Sequence, residues 1–239
     1  RPRPRGAGRA PLRGLRLLTA RGASTPPPCG TSAAPPRWAG VGKEVRMRST
    51  DTTVRTSPSA GPGSPRVTGV HDPDTGSVQY LVACPATGRA AVIDPVLDFD
   101  PAHARTGTRR AEETLALAEA EGLTVDWVLD THPHANHLSA AAWLTARTGA
   151  AQAIGEKVQD IAALWRGFYG MPDALDPGRD VDRLLADGET FRIGELEVRV
   201  MLSPGHTLGS VTYVVGEDAA FVHDTLMHVD AGTARADFP

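Results

Sequence analysis

The chain has 239 residues, 41% of them apolar, and a formal net charge of −3 at pH 7, enough to bury one substantial core with chain left over. The charge is unevenly spread: Arg1–Arg66 holds thirteen basic residues against Glu44 and Asp51, a net of +11, while the rest holds twelve basic against 26 acidic, a net of −14. The acidic part excludes nucleic acid as its partner because it lacks the basic surface that displaces counterions from phosphates. No apolar run is long enough to span a bilayer, so no membrane partner is expected.

Residues 1–66 contain eleven of the 20 prolines and show no sustained helical or strand period. They are expected to be a disordered Arg/Pro/Gly-rich extension. Its origin is open between an organelle transit segment, a basic interaction arm and an over-long gene model with Met47 as the true start, the last being preferred. From Val78 the pattern changes. Val78–Cys84 and Arg89–Ile93 read as strands of a hairpin, closed by Asp94-Pro95. Residues 109–121 read as an amphipathic helix stopped by Gly122. Val125–Leu129 is a short strand, Leu138–Thr148 a helix, Ala151–Ile154 a strand and Lys157–Trp165 a helix. A Gly/Pro-rich loop follows at 166–183. Strands are predicted at Thr190–Ile193, Leu196–Leu202, Ser210–Val215 and Ala219–Val222. Strand pairs at both ends, with helices between, fit two packed sheets under outer helices better than a doubly wound parallel sheet. The two cysteines, Cys29 and Cys84, lie far apart and make neither a disulfide framework nor a thiolate metal site, which points to a reducing cytoplasm.

The richest stretch is Asp130-Thr131-His132-Pro133-His134-Ala135-Asn136-His137, directly after a predicted strand. Three imidazoles so close together, in a chain with 8 histidines, point to metal binding rather than to packing. Ser203-Pro204-Gly205-His206-Thr207 likewise follows a predicted strand, and its Pro-Gly pair shapes a turn that presents His206. Phe221-Val222-His223-Asp224 ends a third strand in a carboxylate, which could otherwise serve as a helix N-cap.

In this order the motifs resemble the metallo-β-lactamase superfamily, whose members carry an HxHxDH loop, a PGH histidine and a strand-end aspartate. Within it the chain is most similar to the persulfide (sulfur) dioxygenases, on Ala91-Val92-Ile93-Asp94-Pro95, Thr131, Gly205-His206-Thr207 and Arg235-Ala236-Asp237-Phe238. The resemblance spans about Arg66 to Pro239. It implies one α/β domain over 67–239, an αββα sandwich (α+β in type) that stops short at its C-terminus.

The resemblance also implies the ligands. Binuclear relatives hold one ion with the equivalents of His132, His134 and His206. They hold a second with the loop Asp, the equivalent of His137 and a late His, bridged by the equivalent of Asp224. Here Asn136 replaces the loop Asp, and no late His is present before Pro239. A neutral amide weakens a divalent site, so a single ion is expected. The dioxygenases hold Fe(II) with residues matching His132, His206 and Asp224, a two-histidine, one-carboxylate arrangement with open positions for substrate and O₂. His134, Asp94 and Arg235 are candidates to orient these ligands and tune the centre. Arg235 could instead pair with Asp237.

The implied function is oxidation of a small-molecule thiol persulfide, such as glutathione persulfide, to sulfite with O₂ at one Fe(II), in a cytoplasmic enzyme that could be a homodimer. The alternatives are a zinc thioester or lactone hydrolase of the glyoxalase II type with His134 as a ligand, and a non-catalytic fragment. His223 stands where relatives have Gly. If the strand continues through it, His223 points away from Asp224 and packs behind the site.

Overall fold

The computed structural model describes residues 52–174, 176–228 and 230–235, together with the backbone of Arg16–Leu17. In chain order the strands are β1 (Arg16–Leu17), β2 (Thr53–Ser57), β3 (Arg66–His71), β4 (Val78–Ala83), β5 (Arg89–Ile93), β6 (Val96–Asp100) and β7 (Arg105–Gly107). Helix α1 (Arg109–Ala120) leads to β8 (Thr124–Asp130), β9 (Leu138–Ser139), α2 (Ala141–Thr148) and β10 (Ala151–Gly155). Then come α3 (Val158–Tyr169), the single turn α4 (Pro177–Asp180), β11 (Arg183–Leu185), β12 (Thr190–Ile193), β13 (Leu196–Leu202), β14 (Val211–Val215) and β15 (Ala219–Phe221).

Two sheets stack face to face. One has seven strands in the order β11-β10-β8-β5-β4-β3-β2, the other five in the order β1-β15-β14-β13-β12. Val82, Ile93 and Leu129 from the first interleave with Ile193, Val198, Val200, Tyr213 and Phe221 from the second. The opposite face of the seven-stranded sheet, through Leu81, Val92 and Val128, packs on Ala111 and Ala118 of α1 and Leu144 of α2. The central strands are therefore buried on both faces, as the continuous apolar runs of β5 and β14 require. The expected mixed α/β sandwich is present.

Several boundaries differ from the sequence reading. Thr53–Ser57 and Arg66–His71, inside or at the end of the supposed disordered extension, pair in register as an antiparallel ladder on the seven-stranded sheet. The domain thus reaches back into that segment. β2 is largely exposed, so it shows no apolar alternation to read. The connecting residues 58–65 are ordered against the domain as well, with the Ser64 hydroxyl donating to Asp218 at 3.0 Å. The expectation for 1–15 and 18–51 lies outside the described residues, and Arg16–Leu17 pair parallel with Ala219–Ala220.

Helix α2 begins at Ala141 because Leu138–Ser139 pair with Val96–Leu97 and the Ser139 hydroxyl accepts the Ala141 N–H at 3.1 Å. Helix α3 runs on to Tyr169 and is closed by Gly170 in the left-handed region, φ 63, a helix stop that glycine provides without a Cβ clash. The expected 166–183 loop is shortened by α4 and by β11, which adds parallel to β10.

Candidate metal centre

The C-terminal ends of β5, β8, β13 and β15 converge on one rim of the sandwich. Two contacts join the sheets there: the Val211 N–H donates to the Thr131 carbonyl at 2.9 Å, and the Tyr213 hydroxyl to the Asp130 carbonyl at 2.8 Å. The polar loops that follow these strands are thereby held against one another.

Asp94, just after β5, is fully buried and takes a left-handed backbone, φ 52. Its carboxylate accepts the Thr131 N–H at 2.7 Å and the Thr131 hydroxyl at 3.0 Å, and it lies 2.9 Å from His134 Nε2. Burial by itself would raise its pKa, but the charges of His223 and His134 outweigh that and hold the carboxyl well below the usual range. Such a carboxylate orients an imidazole and selects which nitrogen stays available. With Nε2 engaged, His134 offers Nδ1. His132 is held in the same manner, with Nδ1 at 3.0 Å from the Thr131 hydroxyl and Nε2 at 3.5 Å from Asp224 Oδ2.

His206 sits on the turn between β13 and β14. Gly205 has φ +145, and a Cβ there would meet the Ala234 Cβ at 2.9 Å, while the Arg235 N–H donates to the Gly205 carbonyl at 2.9 Å. Only glycine allows this close approach. His206 Nε2 is 3.3 Å from Asp224 Oδ2, and its Nδ1 is 2.6 Å from the Thr233 hydroxyl, which also donates to the Asp224 carbonyl at 2.7 Å. Thr233 therefore orients His206 towards Asp224. No motif marks this threonine, and sequence reasoning missed it. Arg235 is exposed, and its charge contributes to lowering the His206 pKa, after burial and the charge of His132. Its alternative partner, Asp237, lies outside the described residues.

His137 is buried, stacks on His134 with centroids 4.2 Å apart, and has Nδ1 3.0 Å from the Leu138 carbonyl. Asn136 does not accompany it inward. Its amide donates to the Ser77 hydroxyl at 2.8 Å and to the Thr75 carbonyl at 3.4 Å, both in the turn between β3 and β4. Asp130, which carried no assigned role in the sequence reading, is buried between Asp94 and the Ser139 hydroxyl. Burial first, then the Asp94 charge, pushes its pKa up to about 7.

The expectation for His223 is corrected. Strand β15 ends at Phe221, and His223–Thr225 form a 3₁₀ turn, so the alternation of a strand does not apply. With φ 34, His223 turns into the site. Its ring centroid is 4.8 Å from that of His134 and 5.6 Å from that of His132.

Four buried imidazole nitrogens, His132 Nε2, His134 Nδ1, His137 Nε2 and His223 Nδ1, lack a hydrogen-bond partner. Buried polar atoms normally find one, and a cation would satisfy them. His132, His134, His223 and Asp224 each offer a ligand atom, all within 4.8 Å of one another. Burial lowers the pKa values of His132, His134 and His137, which keeps these rings neutral and able to ligate, whereas at His223 the carboxylates of Asp94 and Asp224 outweigh burial and raise it. The donor set fits a metal ion.

A family model, the metallo-beta-lactamase superfamily, matches residues 72–220. The chain belongs to this superfamily. A beta-lactamase hydrolase-like protein of Xylella fastidiosa is 56% identical over 176 residues, 74% of this chain and 41% of that protein. A protein of Burkholderia pseudomallei named "Probable metallo-hydrolase" is 44% identical over 185 residues, 72% of this chain and 62% of that protein. Among solved structures, ETHE1 from Myxococcus xanthus superposes with a TM-score of 0.52 at 25% identity, covering 70% of this chain and 63% of that one. The chain spans about two fifths of the length of the Xylella relative.

Proposed function

We propose that this domain oxidises the terminal sulfur of a small-molecule thiol persulfide to sulfite with O₂, at a single metal ion held by His132, His206 and Asp224. The observation that carries the reading is the pairing of two facts. His132 Nε2 and His206 Nε2 lie 3.5 and 3.3 Å from the same Asp224 oxygen. Asn136, at the position that completes a second site in binuclear relatives, is turned to Ser77 and Thr75 instead. A two-histidine, one-carboxylate set suits Fe(II), which supplies the redox chemistry when bound.

The balance closes without a further reductant. The terminal sulfur gives up four electrons, O₂ accepts all four, and water provides the third oxygen of sulfite. The sulfur–sulfur bond breaks, the thiol leaves protonated, and two protons are released. The residues of this chain hold the geometry: Asp94 and Thr131 fix His134 and His132, and Thr233 fixes His206. Arg235, exposed beside His206, is the candidate to hold an anionic persulfide or its carrier.

A second reading, a zinc-dependent thioester hydrolase, is favoured by His134 Nδ1, a buried nitrogen without a hydrogen-bond partner, and by the hydrolase names of the two relatives. The protein loaded anaerobically with Fe(II) should consume O₂ and glutathione persulfide one for one, releasing sulfite. Absence of O₂ uptake, together with zinc-dependent cleavage of a glutathione thioester, would overturn the oxidative reading.

A further inference from the structure

We infer that His223 is itself a ligand, binding through Nδ1 the same ion as His132 and Asp224. Three independent features point there. The side chain is 7% exposed, and Nδ1 has no hydrogen-bond partner although it lies 3.0 Å from Asp224 Oδ1. Two ligands of one cation stand at such a spacing, as do the partners of an ion pair, and the poor hydrogen-bond angle leaves Nδ1 aimed at the space that His132 and Asp224 also face. Next, the backbone is held at φ 34, a left-handed conformation that side chains bearing a Cβ rarely adopt. Such a conformation is strained and persists where the surroundings impose it, typically at functional sites. Last, the mutual 4.8 Å limit is met by His132, His134, His223 and Asp224, a three-imidazole, one-carboxylate set that meets it without His206.

The consequence is a more crowded ion than a facial triad provides. An additional imidazole beside His132, His206 and Asp224 removes an open position and strengthens retention of zinc or iron. The neighbouring carboxylates give His223 no better partner: Asp94 Oδ2 is 4.0 Å from its other ring nitrogen, Nε2.

This inference rests on the chain holding a metal at this rim, and the experiment separates the two claims. His223→Gly, in the full chain, removes the imidazole and relieves the left-handed strain. The metal-free variant should melt higher than the metal-free wild type, while its affinity for Co(II), read by chelator competition, should fall at least tenfold. The visible absorption bands of bound Co(II) should shift with the lost imidazole. His223→Asn, which tolerates the same backbone, should show the same loss of affinity, so the result does not depend on one variant folding. X-ray absorption of the zinc-loaded wild type should count one imidazole more than that of either variant. Unchanged Co(II) affinity and spectrum in both variants, with the wild type binding the ion, would overturn the role of His223 and leave the proposed function standing. A wild type that takes up neither Co(II) nor Zn(II) would overturn both.

Discussion

Threonine hydroxyls set the imidazoles of this rim as much as carboxylates do. Thr131 bonds to Asp94 and lies beside His132, and Thr233 lies beside His206 while donating to the Asp224 carbonyl. Removing such an outer partner typically costs roughly 10–100-fold in metal affinity, so Thr233→Val should loosen the ion by that factor, read by chelator competition, without unfolding the domain. Asn136 belongs to the same scale. Asn136→Asp loses the donor that bonds to the Thr75 carbonyl, which frees a carboxylate beside His137. Zinc titration should then show a second ion bound more tightly than in the wild type. If calorimetry finds no gain, Ser77 keeps the new carboxylate turned outward.

Among the elements, α1 is tied to the sheet by one buried cation. Arg110 is 1% exposed and lies 2.8 Å from Asp72, itself 2% exposed, in the turn that also anchors Asn136. Its backbone N–H donates to Asp98 at 3.0 Å, and its carbonyl accepts the Gln79 amide at 3.2 Å. Taking away one partner of a buried pair leaves an uncompensated charge, so Arg110→Ala should cost about 3–5 kcal/mol in chemical denaturation. The pH sign follows from Asp72. Burial raises its pKa, but the Thr75 hydrogen bond and the Arg110 charge prevail, and the result lies below the ordinary 3.8. The pair therefore stabilises the fold fully above the ordinary carboxylate range, and that contribution is lost as pH falls through the lowered folded value. Arg110→Ala should flatten this acid limb of the stability curve. An unaltered limb would assign it to other carboxylates.

For the whole molecule, β2 closes the edge of the seven-stranded sheet. A chain starting at Met47 gives up only the two-residue pairing of β1 with β15 and should melt close to the full chain, whereas one starting at Pro65 loses the β2–β3 ladder, the Thr52 hydroxyl's hydrogen bond to Glu113 beside Arg110 and the cover on the β3 edge. Each kcal/mol lost in a domain of this size shows as about 2–4 °C in Tm, so the shorter chain should melt several degrees lower. Equal Tm values would mean that β2 adds nothing. Metal acts at the same scale by mass action. An ion at a hundred times its Kd adds about 2.7 kcal/mol, and stripping it with a chelator should lower Tm by roughly 5–10 °C.

The superfamily and most of the candidate centre were legible in the chain itself. Imidazoles at 132, 134, 137 and 206 and the carboxylate at 224 follow apolar runs, and such runs become buried strands whatever surrounds them. Asp94, set just after the β5 run, lies beside His134 in the structure. Tertiary structure decided what local pattern cannot encode. β2 is a strand because β3 offers it a ladder, not because its own residues alternate. Asn136 faces Ser77 because the turn between β3 and β4 lies beside it. His223 faces inward because β15 ends at Phe221, before the strand could carry its alternation through His223 and Asp224, and the chain there turns with φ 34. Thr233 meets His206 across 27 residues. Apolar burial is additive along a strand and can be read residue by residue, whereas hydrogen-bond partners and the direction of a turn depend on which loops the two sheets bring to one rim.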